Sequence, residues 1–400
     1  MKRIERTEYL DKLIRYKDKR IIKVITGIRR CGKSTIMGIY RDWLVNHGVS
    51  DSQIVYVNFE DFDFFELRDP MRLHEYVKSK TIEDKNMYVF FDEIQHVENF
   101  PDVVNSISLK ENVDICITGS NAYMLSSDIA TLLSGRYVEI PMLPLSFREY
   151  VKATGTFGNL QKAYRDYITR SSFPYTLDLD TPADISDYLN SVYNTIVVKD
   201  IMSRKCLQDT MMLESVIRFT ADNIGNVLST KRIADLMTAE GRKIDQKTVE
   251  RYLSALRETF FVYEARRYNI KGRQLLKTLE KYYLVDIGMR RMLLGSRAFD
   301  AGRILENVIF LELVRRQKKV YIGKSDNFEV DFVTIDENGT AYYQVAATVR
   351  DEATLERELR SLRQINDQYP KYILTLDDDP VADYNGIKRV NALEWLVGEQ

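Results

Sequence analysis

The apolar positions of this 400-residue chain follow different rhythms in different regions. In the first third they gather into short apolar runs: residues 21–25, the uninterrupted residues 88–91 and the apolar stretch inside "VDICITGS". An unbroken run suits a strand buried on both faces of a parallel sheet, where neither face meets water. Segments with a helical period follow these runs. Residues 150–205 read as helices and turns, interrupted at "SSFPYTLDLDTPADISDYL", where two prolines and several cap residues close one helix and open another. Ser229 or Thr230 then caps a helix carrying Ile233, Leu236 and Met237. Asp245 caps a second helix, with Val249, Leu253 and Leu256 on one face and Gln246, Lys247, Glu250 and Arg251 off it. Two β-rich runs follow around a basic loop. The last hundred residues order as a helix ("AGRILENVIFLELVRR"), strands ("KVYIGKSDNFEVDFVTI", "TAYYQVAATV"), a charged amphipathic helix ("DEATLERELRSLRQI") and a strand ("YILTLDDD").

Composition narrows the class. Apolar residues make up 44% and charged residues 29%, the mix of a soluble globular protein, and the length calls for two or three domains. A net charge of −1 excludes a chain-wide polyelectrolyte binder, so any nucleic-acid contact needs a local patch. Cys31, Cys116 and Cys206 are far apart and fit a reducing compartment. His47, His74 and His96 are isolated and read as structural. No apolar run reaches membrane-spanning length and the N-terminus carries no signal region, so the expected location is the cytoplasm.

The turn after the first apolar run is Gly27-Ile28-Arg29-Arg30-Cys31-Gly32-Lys33-Ser34, followed by Thr35. This G-x4-G-K-S between a strand and a helix is a P-loop: its backbone N–H groups converge on phosphates and the helix N-terminus adds its dipole. Lys33 would reach the β- and γ-phosphates of ATP, and Ser34 would ligate Mg²⁺. Some sixty residues on, the second run ends in Asp92-Glu93. At that sheet edge Asp92 would hold the Mg²⁺ shell and Glu93 would orient and deprotonate the attacking water. Ser120 and Asn121 close the third run as candidate γ-phosphate sensors. Arg136, after an amphipathic segment and a glycine, is the candidate arginine finger.

Together, GIRRCGKST, YVNFED, YVFFDEIQ, ITGSNAYML, LLSGR and PLSFREY resemble a family of bacterial and archaeal P-loop ATPases. That family lies in the additional-strand catalytic-glutamate branch, near the AAA+ and STAND groups, and carries a C-terminal domain of unknown function. The resemblance extends over nearly the whole chain, and implies nucleotide roles for Lys33, Asp92, Glu93 and Arg136.

The paired helices and flanking strands of residues 206–292 fit a winged helix. Residues 264–291 hold eight Lys/Arg against three acids, which suits phosphate contacts, with Lys247, Arg251, Lys271 and Arg273 as candidates for DNA. Residues 293–400 resemble the PD-(D/E)xK nuclease fold. Glu306 and Asp331 stand where two acids are expected, but Gln344 replaces the third acid and Ala346 the lysine. A neutral amide is a poor ligand for a hard cation, and alanine stabilises no anion.

The expected fold class is α/β: a P-loop NTPase domain with a parallel sheet (1–150), a helical connector or lid (151–205), a winged helix (206–292) and a restriction-endonuclease-like domain without nuclease chemistry (293–400). The expected activity is Mg²⁺-dependent ATP hydrolysis that repositions the C-terminal half. Two rivals are a slow nucleotide-controlled signalling switch and an ATP-regulated nuclease. ATP is the expected ligand; DNA and a second copy of the chain are candidate partners; no membrane is involved. The acidic, aromatic run 58–70 reads as a strand end and loop near the nucleotide.

Overall fold

The computed structural model describes residues 4–120, 133, 135–203, 209–239, 241–276, 279–295, 300–316, 318–337 and 339–398. They form two compact units, Met1–Pro144 with Glu258–Phe260, and Leu145–Arg257 with Phe261–Gln400.

In the first unit, β1 (Ile22–Thr26), β2 (Ile54–Asn58), β3 (Met87–Asp92), β4 (Val113–Gly119) and β5 (Tyr137–Pro141) make a sheet in the order β2-β3-β4-β1-β5. All four pairings are parallel. Every residue of β1 and β3 is buried, as in strands covered on both faces. Helices α1 (Thr7–Arg15), α2 (Lys33–Asn46), α3 (Pro70–Lys80) and α4 (Phe100–Ser108) accompany the sheet. Leu73 of α3 and Val104 of α4 pack into one core with Val57, Phe91 and Ile117. The polar interruption of β1, Lys23, is fully buried 2.5 Å from Asp114 on β4, and its Nζ also donates to Tyr16 O. A buried charge persists only with such partners. Because the strands are parallel, the loops leaving β1, β3 and β4 emerge at one edge, where sheets of this kind bind ligands.

The second unit opens with helices Phe147–Thr154, Leu160–Arg170 and Pro182–Thr195. Asp286 caps the later helix Ile287–Leu294 by accepting from Met289 N, and its other oxygen accepts from both Ser172 N and Ser172 Oγ at 2.6 Å. The segment after the Leu160–Arg170 helix is thereby fixed to the start of the later one. Helix Thr210–Asp222, β6 (Val227–Leu228), helices Thr230–Ala239 and Gln246–Glu258, β7 (Val262–Ala265) and β10 (Glu280–Leu284) follow one another, with an antiparallel sheet ordered β6-β10-β7. Both predicted caps are present: Ser229 Oγ accepts from Arg232 N at 3.1 Å, and Asp245 Oδ1 from Thr248 N at 2.8 Å.

The two β-rich runs expected around the basic loop are present, and the segment between β7 and β10 adds a long-range pairing. It folds as β8 (Arg267–Asn269) and β9 (Gln274–Leu275), and β8 pairs in parallel with β11 (Lys319–Ser325). The loop therefore joins a larger sheet. There β11, β12 (Phe328–Asp336) and β13 (Gly339–Ala346) are antiparallel neighbours. Strands β14 (Lys371–Thr375) and β16 (Ile387–Asn391) extend the sheet in parallel, and β15 (Ala382–Asp383) closes the edge. The full order is β15-β16-β14-β13-β12-β11-β8-β9. Helices Ala301–Arg315 and Glu352–Arg363 occupy the predicted places in chain order. Tyr283 on β10 stacks on Phe310 with ring centroids 4.2 Å apart, and Phe310 meets Phe332 on β12. These rings pack β10 against the helix and the larger sheet.

Candidate functional site

The predicted phosphate loop is built at the C-terminal end of β1. Gly27 has φ +147°, and a Cβ there would stand 2.1 Å from the Met142 carbonyl oxygen, so only glycine fits. Gly32, at φ 105°, turns the chain into α2. Lys33 is buried, and its Nζ donates to Gly27 O (3.1 Å) and Ile28 O (3.3 Å) and lies 3.5 Å from Glu93 Oε1. Ser34 and Thr35 stand exposed at the start of α2. Ile28 and Cys31 are buried beneath the loop. Arg29 reaches out to Glu60, 3.0 Å away, while Arg30 takes a left-handed φ of 65°.

Asp92 and Glu93 end β3 on either side of one hydroxyl. Thr118 Oγ1, on neighbouring β4, donates to Asp92 Oδ1 at 2.5 Å and accepts from Glu93 N at 2.9 Å. Burial pushes the Asp92 carboxyl above its ordinary range, against the pull of the Thr118 and Ser34 hydroxyls. Glu93 shifts the other way: burial, the largest single influence, raises it, but Lys33, Gln95 and Arg29 together pull it below its ordinary range. Glu93 also holds a left-handed backbone, φ 54° and ψ 50°, a conformation that costs a non-glycine residue of order 1–3 kcal/mol. Gln95 Nε2 donates to Glu93 Oε2.

Ser120 lies buried at the same edge, just after β4. Its Oγ, Gln95 Oε1 and His96 Nε2 are buried without a hydrogen-bond partner. Orphaned polar atoms beside a glycine cradle suit a site that takes a polar ligand. Among the described residues no group of three or more Asp, Glu, His or Cys side chains forms a ready metal site. Mg²⁺ keeps waters and takes one or two protein ligands plus phosphate oxygens. Here Asp92 and Ser34 would hold it.

Arg136 does not join this cluster. Its carbonyl accepts from Ile22 N at 2.9 Å, so it sits level with the start of β1, whereas the phosphate loop leaves the far end. The five residues of β1 separate them by about 16 Å at about 3.3 Å per residue. Arg136 is exposed and cannot serve the site of its own chain in this arrangement. Asn121 lies outside the described residues.

Two contributors give no motif in the sequence. Thr118 is one. Arg6 is the other: it is buried and donates to Cys31 O (3.0 Å), Leu143 O (3.0 Å) and Pro144 O (3.2 Å), fastening the phosphate loop to the segment after β5. A charged residue ahead of an amphipathic helix offers no hint of such contacts.

In the second unit, Glu306, Asp331 and Gln344 do come together. Asp331 N donates to Gln344 Oε1 at 2.7 Å, and Asp331 Oδ2 accepts from Val345 N at 2.9 Å. Gln344 Nε2 donates to Glu358 Oε2 at 2.7 Å, a fourth member the sequence did not reveal. Ala346 is buried in an apolar cluster with Leu359 and Leu362.

Of the basic candidates, Lys247 and Arg251 are exposed on helix Gln246–Glu258, and Lys271 and Arg273 on the β8–β9 turn. Lys271 pairs with Asp326 at 2.5 Å, Arg266 with Glu264 at 2.7 Å, and Lys281 is buried. The local excess of positive charge is thus partly matched by acids. A groove of about 790 Å³ beside these elements mixes Arg257 and Arg266 with Glu250 and Glu264.

Residues 19–151 match the family described as AAA domain, and residues 161–300 match a domain of unknown function, DUF8612. An uncharacterized protein of Haemophilus influenzae is 37% identical over 398 residues, covering 98% of both chains. The chain belongs to that protein's family. An uncharacterized protein of Methanocaldococcus jannaschii is 29% identical over 354 residues, 85% of this chain and 77% of that one. Among solved structures, a Walker-type ATPase of Pyrococcus abyssi superposes with a TM-score of 0.51 at 15% identity, over 72% of this chain and 95% of that chain, a likeness of fold. The match over residues 19–151 supports a P-loop ATPase domain in this part of the chain. No helix among the described residues is long and apolar enough to cross a membrane.

Proposed function

We propose that this chain hydrolyses ATP with Mg²⁺ and that nucleotide state repositions its C-terminal half. The observation that carries the reading is the single cluster made by the loop of Gly27–Gly32, Lys33, Asp92 and Glu93, braced by Thr118. On nucleotide binding, Lys33 exchanges its two carbonyl contacts and the nearby Glu93 for phosphate oxygens. Glu93 then loses the cation that most lowers its proton affinity, and burial makes it a better acceptor of a proton from water. Asp92 and Ser34 would hold Mg²⁺, which would supply positive charge against the phosphates.

The sheet order β6-β10-β7 behind three helices supports a winged helix, and the order helix, three strands, helix, strand supports a nuclease-like domain. Gln344 and Ala346 support the absence of nuclease chemistry there. DNA is the partner we assign to the winged helix. Turnover and binding measured together test the ATPase reading. Lys33→Ala should weaken nucleotide binding and lose turnover. Glu93→Gln should bind ATP normally yet hydrolyse it about 10²–10⁴-fold more slowly, the usual contribution of a general base. Wild-type turnover in Glu93→Gln would remove Glu93 from that role.

A further inference from the structure

A buried lysine sits at the centre of the acidic cluster in the second unit. Lys281 projects from β10, and its Nζ lies 3.0 Å from Glu306 Oε1, 2.9 Å from Glu329 Oε1 and 3.8 Å from Asp331 Oδ1. Only 5% of its side chain is exposed. Side chains two apart share a face of a strand, so Tyr283 points the same way, and its hydroxyl donates to the same Glu306 oxygen at 2.6 Å. The other Glu306 oxygen lies against Gly225, where a Cβ would stand 3.0 Å away. The carboxylates come from the Ala301–Arg315 helix and from β12, and β13 adds Gln344 through Asp331 N.

We propose that Lys281 is the resident cation of this cluster: its ammonium occupies the position a divalent ion would take among Glu306, Glu329 and Asp331, and the cluster admits a metal only when that lysine is removed. The inference rests on the geometry of the second unit and is independent of the nucleotide reading. One ammonium meets three carboxylates from two elements, a convergence that a simple buried pair does not need. A tethered cation differs from a metal in two respects. It cannot be lost to a chelator, and it has no open coordination position for water or phosphate. The result is a clamp. It fastens the small sheet, through β10, to the Ala301–Arg315 helix and the larger sheet.

Mn²⁺ binding to the full chain without nucleotide, followed by the paramagnetic resonance of free Mn²⁺, tests this. Wild type and Asp331→Asn should bind Mn²⁺ identically, because the cluster takes none in either. Lys281→Met should gain one equivalent of Mn²⁺, and the double variant K281M/D331N should lose it again. Lys281→Arg should behave as wild type. Mn²⁺ should raise the melting temperature of Lys281→Met and leave that of wild type unchanged, so a poorly folded variant still gives a readout. A wild-type Mn²⁺ site abolished by Asp331→Asn would overturn the proposal. So would a Lys281→Met protein that gains no Mn²⁺ and is not stabilised by it.

Discussion

Asp92 and Glu93 differ by one position and one methylene, yet their surroundings push their proton affinities in opposite directions. Only Glu93 lies within 3.5 Å of the Lys33 ammonium, whereas Asp92 is buried against hydroxyls that do not fully offset its desolvation. The same physics gives a pH prediction for Asp331, whose folded pKa, about 8, lies above the ordinary carboxylate value of 3.8. A raised acid binds its proton more tightly in the native state. Its contribution to stability is therefore full below about pH 4 and is lost as pH rises through 8. Asp331→Asn cannot ionise, so its melting temperature relative to wild type should climb between pH 6 and pH 9. A difference that stays flat across that interval would show that Asp331 is already ionised at pH 6. At this scale the phosphate loop and the Asp-Glu pair were legible because each is a contiguous motif. Lys281, Thr118, Arg6 and Glu358 were not. Each acts on residues at least 14 positions away, and Arg6 spans 138, so no local pattern announces them.

At the scale of elements, periodicity predicted strands and helices well where burial is one- or two-faced. The two β-rich runs around the basic loop are present, but periodicity could not show that β8 pairs with β11, because a partner that far along the chain leaves no periodic trace. This bears on nucleic-acid binding, because Lys271 and Arg273 ride on the turn of that hairpin. The Lys271–Asp326 pair is exposed, with 61% of each side chain accessible. Exposed pairs contribute about 0–1 kcal/mol, so a phosphate can displace Asp326. Replacing Lys271 and Arg273 by Ala should weaken DNA binding and reduce the slope of log K against log salt, by up to roughly 0.9 for each phosphate no longer neutralised. Binding measured from 50 to 200 mM salt decides it. An unchanged slope would move the DNA site elsewhere.

For the whole molecule, the position of Arg136 has a direct consequence. It lies at the edge of the sheet opposite its own phosphate loop, so a role in hydrolysis requires a neighbouring copy. Arg136→Ala and Glu93→Gln proteins, each inactive alone, should then recover part of the wild-type turnover when mixed, since one interface in the hybrid pairs an intact arginine with an intact base. No recovery after demonstrated subunit exchange would leave Arg136 a structural residue. The pairing of β8 with β11 has a different kind of consequence, one of timing. Arg267 lies opposite Ile322, 55 residues later. At a synthesis rate of about 5–20 residues per second, the ribosome needs roughly 3–11 s to deliver that partner. Until then the hairpin between β7 and β10 is a bare strand edge, open to pairing with another nascent chain. That edge stays open until β11 has been made.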